Sequence, residues 1–543
     1  MHNFAHQFHG NKFWEIIWKF PCPQRVLMVT DNNGFGLDFG TGGFGLSEFV
    51  TIVKNAGHTV ATAHRNGSGP NLTIAGNFNF APAAVTTANY DQIWLFGFST
   101  TALSAPEQTT IAQFMQSGGG VFATGDHETI GAGMGSNIPR VRDMRNWGNN
   151  TIPGTTIPIP GVPMSNPNRH DTVLDPGADN VKQFQDQADA IPQRIYPVFF
   201  SNGGPDSVAS SWSVHPVLRH SSGAVDYLPD HPHESECLAP TPVAGNFAGV
   251  EEWPAPGTAA RIPAQVAAVS ISAGRFIVAP TASNAKPPVK PRCFGAISAY
   301  DGDPVQVGRI VCDATWHHFV NINLNGSGAG SDPTTGLPRT GLYAASTPTS
   351  EYLKIQRYYL NTVRWLAPRG RRSCWPFLQV ALVRFDFEIA ELRLPEPHPC
   401  PWDPLIRIGL IAEEAATRHW GPGALAEIVD DMLSTTDGTL TLARLLKAQQ
   451  YAQSDDQEKR AEPSLLPLHD MRRAILGSVV NLLAHKLPAD EEKLAALLKK
   501  DHDKLARDFI LEGISGAEQA INDYLQRTLK QTTTLAKAIQ ARK

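Results

Sequence analysis

Histidine and acidic residues occur together at three places in the chain. The three groups are Asp126-His127-Glu128, Asp230-His231-Pro232-His233-Glu234, and Asp313 with His317-His318. A divalent metal needs three or four nitrogen or oxygen ligands that converge from separate loops, with one position open to water or substrate. His231 and His233 are two residues apart, so an extended segment would place both side chains on one side. The pattern predicts a divalent metal site, with zinc as the first candidate metal. The candidate ligands are His127, His231, His233 and His318.

The same groups supply the candidate catalytic residues, which are Asp126, His127, Glu128, Glu234 and His317. Glu128 or Glu234 could act as general base on a metal-bound water. Without a metal, His127 or His317 could transfer protons beside an acidic neighbour. The structural alternative is that Asp126 and Glu128 cap a helix, that His317 or His318 is an interior histidine, and that the segment around His231 is a solvated loop.

A glycine-rich loop adds candidate binding residues. Gly40-Thr-Gly-Gly-Phe-Gly45 fits G-x-G-x-x-G, but it begins nine residues after Asp31, and the next strand ends at His64-Arg65 without an acid for a ribose. We therefore expect no nucleotide cofactor and a loop whose backbone approaches a ligand closely. The predicted substrate-binding residues are Asp31, Gly42, Gly43, Arg140 and Trp316. The alternatives place Arg140, with Arg142 and Arg145, on a solvated helix face paired with Asp143, and Trp316 in the core.

Short apolar runs and helical patterns must position these residues. Strands are predicted at residues 25–31, 59–63, 90–97, 121–124, 265–271, 293–300 and 307–312, and helices at residues 46–57, from Ser104, and at residues 351–366. Right-handed crossovers between alternating strands and helices build a parallel sheet, and the site lies where its strands end. The predicted fold is α/β, with long loop insertions over residues 149–257.

Two segments carry a family resemblance. Gly118-Gly-Gly-Val-Phe-Ala-Thr-Gly-Asp-His127 resembles the strand and turn of ThuA-like proteins, a branch of the class I glutamine amidotransferase-like superfamily. Gly308-Arg-Ile-Val-Cys-Asp-Ala-Thr-Trp-His317-His318, followed by Tyr358-Tyr-Leu-Asn361 and Val363-Arg-Trp-Leu366, is similar to the family's late strand, histidine and final helix. His215-Pro-Val-Leu218 is a looser match. The resemblance covers residues 24–368 and implies a flavodoxin-like parallel sheet flanked by helices.

The resemblance also bears on chemistry. The amidotransferases proper present a nucleophilic cysteine at this turn, whereas no cysteine lies between Gly118 and Gly135. Glutamine hydrolysis through a thiolate is therefore not expected, because Asp126 and His127 cannot replace that nucleophile directly. The association of ThuA-like proteins with trehalose utilisation suggests a carbohydrate-derived substrate.

The length of 543 residues predicts more than one domain. The expected division is an N-terminal extension (1–23), the α/β domain (24–368), a linker (369–404) and an all-α region (405–543). The strongest helical segments of the C-terminal region are residues 404–418, 465–485 and 489–542, and the last is expected to be interrupted near Gly513 to Gly516. The apolar stripe Leu465, Leu466, Leu468, Met471, Ile475 and Val479 predicts packing against the same bundle, a second subunit or a partner protein.

Composition excludes some partners. A net charge of -5 and a pI near 6.4 give no basic field for nucleic acid. No segment reads as a membrane span or a signal peptide, so no membrane association and a cytoplasmic location are expected. The six widely spaced cysteines are interpreted as mostly buried thiols.

Two functions follow as hypotheses. The first is a hydrolase-like enzyme that acts on a small polar substrate through a histidine and carboxylate site, with or without a metal. The second is a non-catalytic ligand-binding or scaffold protein that uses the same cleft and its C-terminal helices. The missing cysteine motivates the second.

Overall fold

The computed structural model describes residues 22–31, 36–126, 129–148, 193–201, 212–229, 235–257, 260–272, 292–328, 330–331, 338–384, 386–434, 467–488 and 491–541. The strands are β1 (Arg25–Asp31), β2 (Thr59–Arg65), β3 (Asn77–Phe78), β4 (Gln92–Phe96), β5 (Gly120–Thr124), β6 (Gln193–Arg194), β7 (Tyr196–Pro197), β8 (Phe199–Ser201), β9 (Trp212–Val214), β10 (Arg219–His220), β11 (Gly223–Ala224), β12 (Tyr227–Leu228), β13 (Asn246–Phe247), β14 (Val250–Glu251), β15 (Gln265–Ser272), β16 (Arg292–Tyr300), β17 (Ile310–Asp313), β18 (Tyr343–Ala344) and β19 (Thr347–Pro348).

The α-helices are α1 (Ser47–Asn55), α2 (Ala105–Gln116), α3 (Ala132–Gly135), α4 (Val141–Met144), α5 (Asn321–Leu324), α6 (Ser350–Trp365), α7 (Cys374–Arg384), α8 (Phe387–Ala390), α9 (Trp402–Trp420), α10 (Ala424–Ser434), α11 (Leu468–Lys486) and α12 (Glu491–Gln540). Single turns of 3-10 helix lie at Pro216–Leu218, Asp303–Val305, Trp316–His318 and Arg369–Arg371.

One mixed sheet organises the α/β part, in the order β3-β2-β1-β4-β5-β17-β16-β15-β7. Every neighbouring pair from β3 to β17 is parallel, and β17, β16, β15 and β7 continue the sheet with antiparallel pairs. The predicted α/β class is thus confirmed, with a sheet that is mostly rather than wholly parallel. The antiparallel end was not predicted, because an apolar run shows that a strand exists but not which way its neighbour runs.

Alternating strand residues fill two cores, one on each face of the sheet. Val26, Met28, Trp94, Phe96 and Phe122 pack with α1 and α6 on one face, and Leu27, Val29, Ile93, Leu95 and Val121 pack with α2 on the other. Strand side chains point to opposite faces in turn, so these continuous apolar runs suit strands covered on both sides. The carboxyl ends of the parallel strands therefore form one edge of a buried sheet.

The helical part has a separate core, built by α7, α9, α10, α11 and α12. Helices α7 and α8 lie within the range predicted as linker, and Phe377 and Val380 of α7 are buried in this core. The predicted break in α12 is wrong, since the helix runs without interruption through Gly513 and Gly516. A Cβ atom on Gly513 would lie 2.6 Å from Val479 Cγ2 on α11, so this glycine permits close packing of two helices. None of the described helices is long and apolar enough to cross a membrane.

A disulfide and buried charges join the two parts. Cys22, before β1, is bonded to Cys374 of α7, so the interpretation of the cysteines as thiols is wrong for this pair. Glu427 of α10 is hydrogen-bonded by Arg219 of β10, and its Oε1 lies 3.0 Å from Nη2 of Arg364 on α6. Burial alone would raise the pKa of Glu427, but Arg364 and Arg219 hold that pKa below its ordinary value. Glu427 is therefore a carboxylate shared by cations of the α/β part.

We expect Glu427→Gln to lower the free energy of unfolding by about 3 kcal/mol, because it leaves two largely buried arginines without their shared partner. Urea denaturation of the full chain measures this loss. Glu414→Gln, an exposed position on α9, is the matched control and should change stability by less than about 0.5 kcal/mol. Equal effects of the two substitutions would contradict a stabilising role for the junction.

Candidate active site

Asp126 and His317, both predicted catalytic residues, meet at the carboxyl edge of the sheet. Asp126 follows β5 and His317 follows β17, its parallel neighbour. His317 Nε2 lies 3.6 Å from Asp126 Oδ2, and each side chain is 1% exposed. Thr315 Oγ1 donates to the other oxygen, Asp126 Oδ1, at 2.8 Å. A carboxylate fixed by a hydroxyl beside an imidazole is an arrangement suited to general acid and base chemistry.

Aromatic rings surround His317. Its ring stacks on Trp316 with centroids 4.3 Å apart, and Phe44 and Phe98 approach Trp316 at 5.6 and 6.0 Å. The indole Nε1 of Trp316 is buried and has no hydrogen-bond partner within the described part of the chain. Trp316, a predicted substrate-binding residue, thus brings an apolar ring and an available donor next to the Asp126 and His317 pair.

Asp31 ends β1 at the same edge. Its Oδ1 accepts hydrogen bonds from the backbone N–H groups of Ser99 and Phe98, at 2.9 and 2.6 Å. Both residues follow β4 in the chain. Its Oδ2 is buried and finds no partner among the residues that the structure describes. Burial raises the pKa of Asp31 to about 6, although those two hydrogen bonds and the charge of Arg65 oppose the change. Asp31 is thus a carboxyl group that changes protonation close to neutral pH.

The glycine-rich loop lies beside these groups and is held by Asn321 of α5. Asn321 Nδ2 donates to the carbonyl oxygens of Gly40 and Gly42, and its Oδ1 accepts from the N–H of Glu48. A Cβ on Gly42 would meet nothing within 4 Å, whereas one on Gly43 would lie 3.1 Å from the Ser327 carbonyl oxygen. The loop that carries both predicted residues is therefore a fixed wall of the site. No signal in the sequence singles out Asn321.

Arg65, at the end of β2, is held by four hydrogen bonds and is therefore not available to bind a phosphate group of a ligand. Its Nε and Nη2 pair with both carboxylate oxygens of Glu107 at 3.0 Å, and its Nη1 and Nη2 donate to the carbonyls of Thr101 and Ala102. Glu107 also completes a capping box with Ser104 at the start of α2. Arg65 thus ties the end of β2 to the start of α2.

A second histidine and acid pair lies behind the first. His318 Nδ1 is 2.6 Å from Asp313 Oδ1, and the Tyr358 hydroxyl donates to Asp313 Oδ2 at 2.7 Å. Burial, with the nearby Asp313 charge, raises the pKa of Tyr358 well above its usual value, so the phenol remains a donor. His318 Nε2 is buried without a partner over the described residues. Sequence reasoning missed Tyr358 as a site residue, although it begins one of the motifs of the resemblance.

Two arginines predicted on a solvated helix face are fully buried, which corrects that interpretation. Arg140 lies over the ring of Tyr300, at 5.5 Å, and donates to the Glu252 carbonyl. Since Tyr300 pairs with Ile310, the first residue of β17, Arg140 is not brought to the carboxyl edge. Arg145 does lie there, and its donors reach the carbonyl oxygens of Asp126, Asn146, Asp313 and Ala314 at 2.7 to 3.1 Å.

Five predicted site residues lie outside the described residues: His127, Glu128, His231, His233 and Glu234. Within the described ranges, no group of three or more His, Cys, Asp or Glu side chains has the arrangement of a metal site. His318 is the one predicted ligand inside those ranges. Because Asp313 occupies its Nδ1, it could bind a metal only through Nε2.

No family model, curated protein or solved structure matches the chain. The ThuA-like relationship therefore stays a prediction from the sequence.

Asp31 predicts a pH-dependent contribution to stability. Its folded pKa of about 6 lies above the unfolded value of 3.8, so the fold favours the protonated form. That contribution is complete below the unfolded value and is lost as pH rises through about 6, and it amounts to about 3 kcal/mol. Asp31→Asn should therefore be more stable than the parent at about pH 8 and lose this advantage at about pH 4. Urea denaturation at both pH values measures the difference, with Asp403→Asn on the surface of α9 as the control. A pH-independent difference would refute the assignment.

Arg145→Lys should lower the free energy of unfolding by about 3 kcal/mol, because one ammonium group cannot replace donors to four separate carbonyls. Thermal and urea unfolding test this, with the exposed Arg407→Lys as control. Equal stability of the two variants would show that the four hydrogen bonds contribute little.

Proposed function

We propose that the protein is a hydrolase-like enzyme that acts on a small polar substrate at the carboxyl edge of its sheet. The observation that carries this proposal is the approach of His317 Nε2 to Asp126 Oδ2, 3.6 Å apart, with Thr315 fixing the carboxylate. In this role His317 takes a proton from the water that attacks the substrate, and Asp126 stabilises the resulting imidazolium. The imidazolium then gives this proton to the leaving group as its bond to the substrate breaks. Asp31 and Trp316 bind the substrate through Oδ2 and the indole N–H.

Two buried thiols, Cys312 and Cys237, support a mechanism without a cysteine nucleophile. Burial raises the pKa of Cys312, the strand residue before Asp313, to about 12 and that of Cys237 well above its usual value. Such thiols stay protonated at neutral pH and are poor nucleophiles. Attack by an activated water therefore fits these residues better.

The order of the longer parallel strands supports the proposed flavodoxin-like, ThuA-like relationship. From edge to centre they run β2-β1-β4-β5-β17, which is 2-1-3-4-5 in chain order. In doubly wound sheets of this order, ligands bind where the strand order reverses, here between β1 and β4. Asp31 bridges those two strand ends through the N–H groups of Phe98 and Ser99. Aromatic rings next to a carboxyl group also suit a carbohydrate-derived substrate.

A divalent metal would fit this proposal, with zinc as the first candidate. Its ligands would be His318 Nε2, His127, His231 and His233. It would supply a bound water of lowered pKa. Without it, His317 and Asp126 perform the proton transfer alone.

Burial favours a second candidate, a non-catalytic ligand-binding or scaffold protein. Asp31, Asp126 and His317 are at most 1% exposed, so a substrate reaches them only when neighbouring residues move aside. A scaffold protein would need no such opening.

Turnover of chromogenic glycosides, esters and amides by the full chain tests the first candidate. We expect His317→Gln and Asp126→Asn each to lower kcat by about 100-fold or more, with smaller changes in KM. His485→Gln on α11 is the matched control and should retain the parent rate. Hydrolysis that survives both site substitutions would refute the assigned roles.

Two further measurements test the role of a metal and separate the two candidates. Metal analysis of the purified chain, before and after chelation, with His318→Ala alongside, decides whether a metal takes part. Saturable binding of a carbohydrate with no turnover, lost in Trp316→Ala, would favour the ligand-binding protein over the enzyme.

A further inference from the structure

The end of α12 extends beyond the bundle that buries one face of residues 506–521 of this helix. Ala506, Ile510, Ile514, Ala517 and Ile521 are buried in the helical core, and Leu525 packs partly against it. From Leu529 to Ala541 every residue is exposed. Three large apolar side chains lie in this segment, with Leu529 64%, Leu535 62% and Ile539 55% exposed. Such exposure on a regular helix marks a surface that a partner could cover.

The exposed apolar residues continue the stripe that is buried in the bundle. Leu525, Leu529, Thr532, Ala536 and Ile539, which we call the α12 seam, follow one another at intervals of four, three, four and three residues. This is the spacing at which one helix packs along another in a left-handed coiled coil. The face that other helices cover up to Leu525 therefore runs on past the bundle edge, where the described chain offers no cover.

Charge along this segment permits pairing of two identical helices. The residues that flank the seam are uncharged: Gln526, Thr528, Thr533, Leu535 and Gln540. Arg527, Lys530 and Lys537 fall on the opposite side of the helix at 100° per residue. Over residues 525–541, two copies that meet along the seam would thus bring no like charges together.

The threonine in the seam is compatible with a dry contact. Thr532 Oγ1 donates to the Thr528 carbonyl oxygen at 2.8 Å, one turn earlier. Its hydroxyl is therefore satisfied within the helix, and its methyl group is left to face a partner. The seam is also narrow and has no aromatic residues, which favours a helix partner over insertion into a lipid surface.

We propose that two copies of the chain associate through the α12 seam, α12 against α12. The exposed segment of α12 is only about 18 Å long, so the contact is smaller than a standard stable interface. We therefore expect a dissociation constant on the order of 10 μM.

Sedimentation equilibrium of the full chain from about 1 to about 200 μM tests the proposal. Leu529→Glu, which places a charge in the seam, should weaken association at least 10-fold. Thr534→Glu adds the same charge on the opposite face and should leave association unchanged. Thr532→Leu, which removes a hydroxyl from the seam, should strengthen it. All three positions are exposed, so thermal unfolding should confirm that every variant remains folded.

Several results would overturn the proposal. One is a monomer at every concentration. Another is equal weakening by Leu529→Glu and Thr534→Glu. A cross-link from position 529 to residues 435–466 of the same chain would assign the seam to that segment instead. Binding to phosphatidylserine vesicles, lost in Leu529→Glu and without self-association, would assign it to a lipid surface.

Discussion

Arg145 holds its guanidinium, with no exposure to solvent, between the ends of β5 and β17. Its donors reach the carbonyl oxygens of Asp126 on one side and of Asp313 and Ala314 on the other. Burial lowers the pKa of Arg145, while the Asp126 and Asp313 carboxylates act in the opposite direction and favour its charge. Since Asp126 and His317 follow these two strands, the hydrogen bonds of one cation hold together the two segments that carry them.

Buried charges also hold the junction between the α/β part and the helical part. Arg219 of β10 and Arg364 of α6 both pair with Glu427 of α10. His215, within the same junction, has its pKa lowered to about 3 by burial and by Arg309 and Arg219, so its ring stays neutral against Trp365. Arg364 also pairs with Asp431 of α10, so the junction is a network of buried charges rather than a single ion pair.

The features that could be predicted from the sequence are those that depend on local sequence pattern. The bounds of β1 agree residue for residue, and the meeting of Asp126 with His317 follows from the rule that parallel strands end at one edge. The roles of Asn321 and Arg145 were not predictable, because they depend on contacts between residues far apart in the chain. Gly513 shows another limit, since glycine serves helix ends and close helix packing alike. The Cys22–Cys374 bond spans 352 residues without a motif, and disulfides are more typical of oxidising compartments than of the predicted cytoplasmic location.

That disulfide also changes the connectivity of the molecule. Because it joins Cys22, which lies shortly before β1, to Cys374, the first residue of α7, it closes the whole α/β part into a covalent ring. A single cut by a protease anywhere inside the ring would leave both fragments attached, and they would separate only after reduction. The helical part is connected covalently to this ring only through Cys374. Removal of the chain after Cys374 would therefore leave the ring closed.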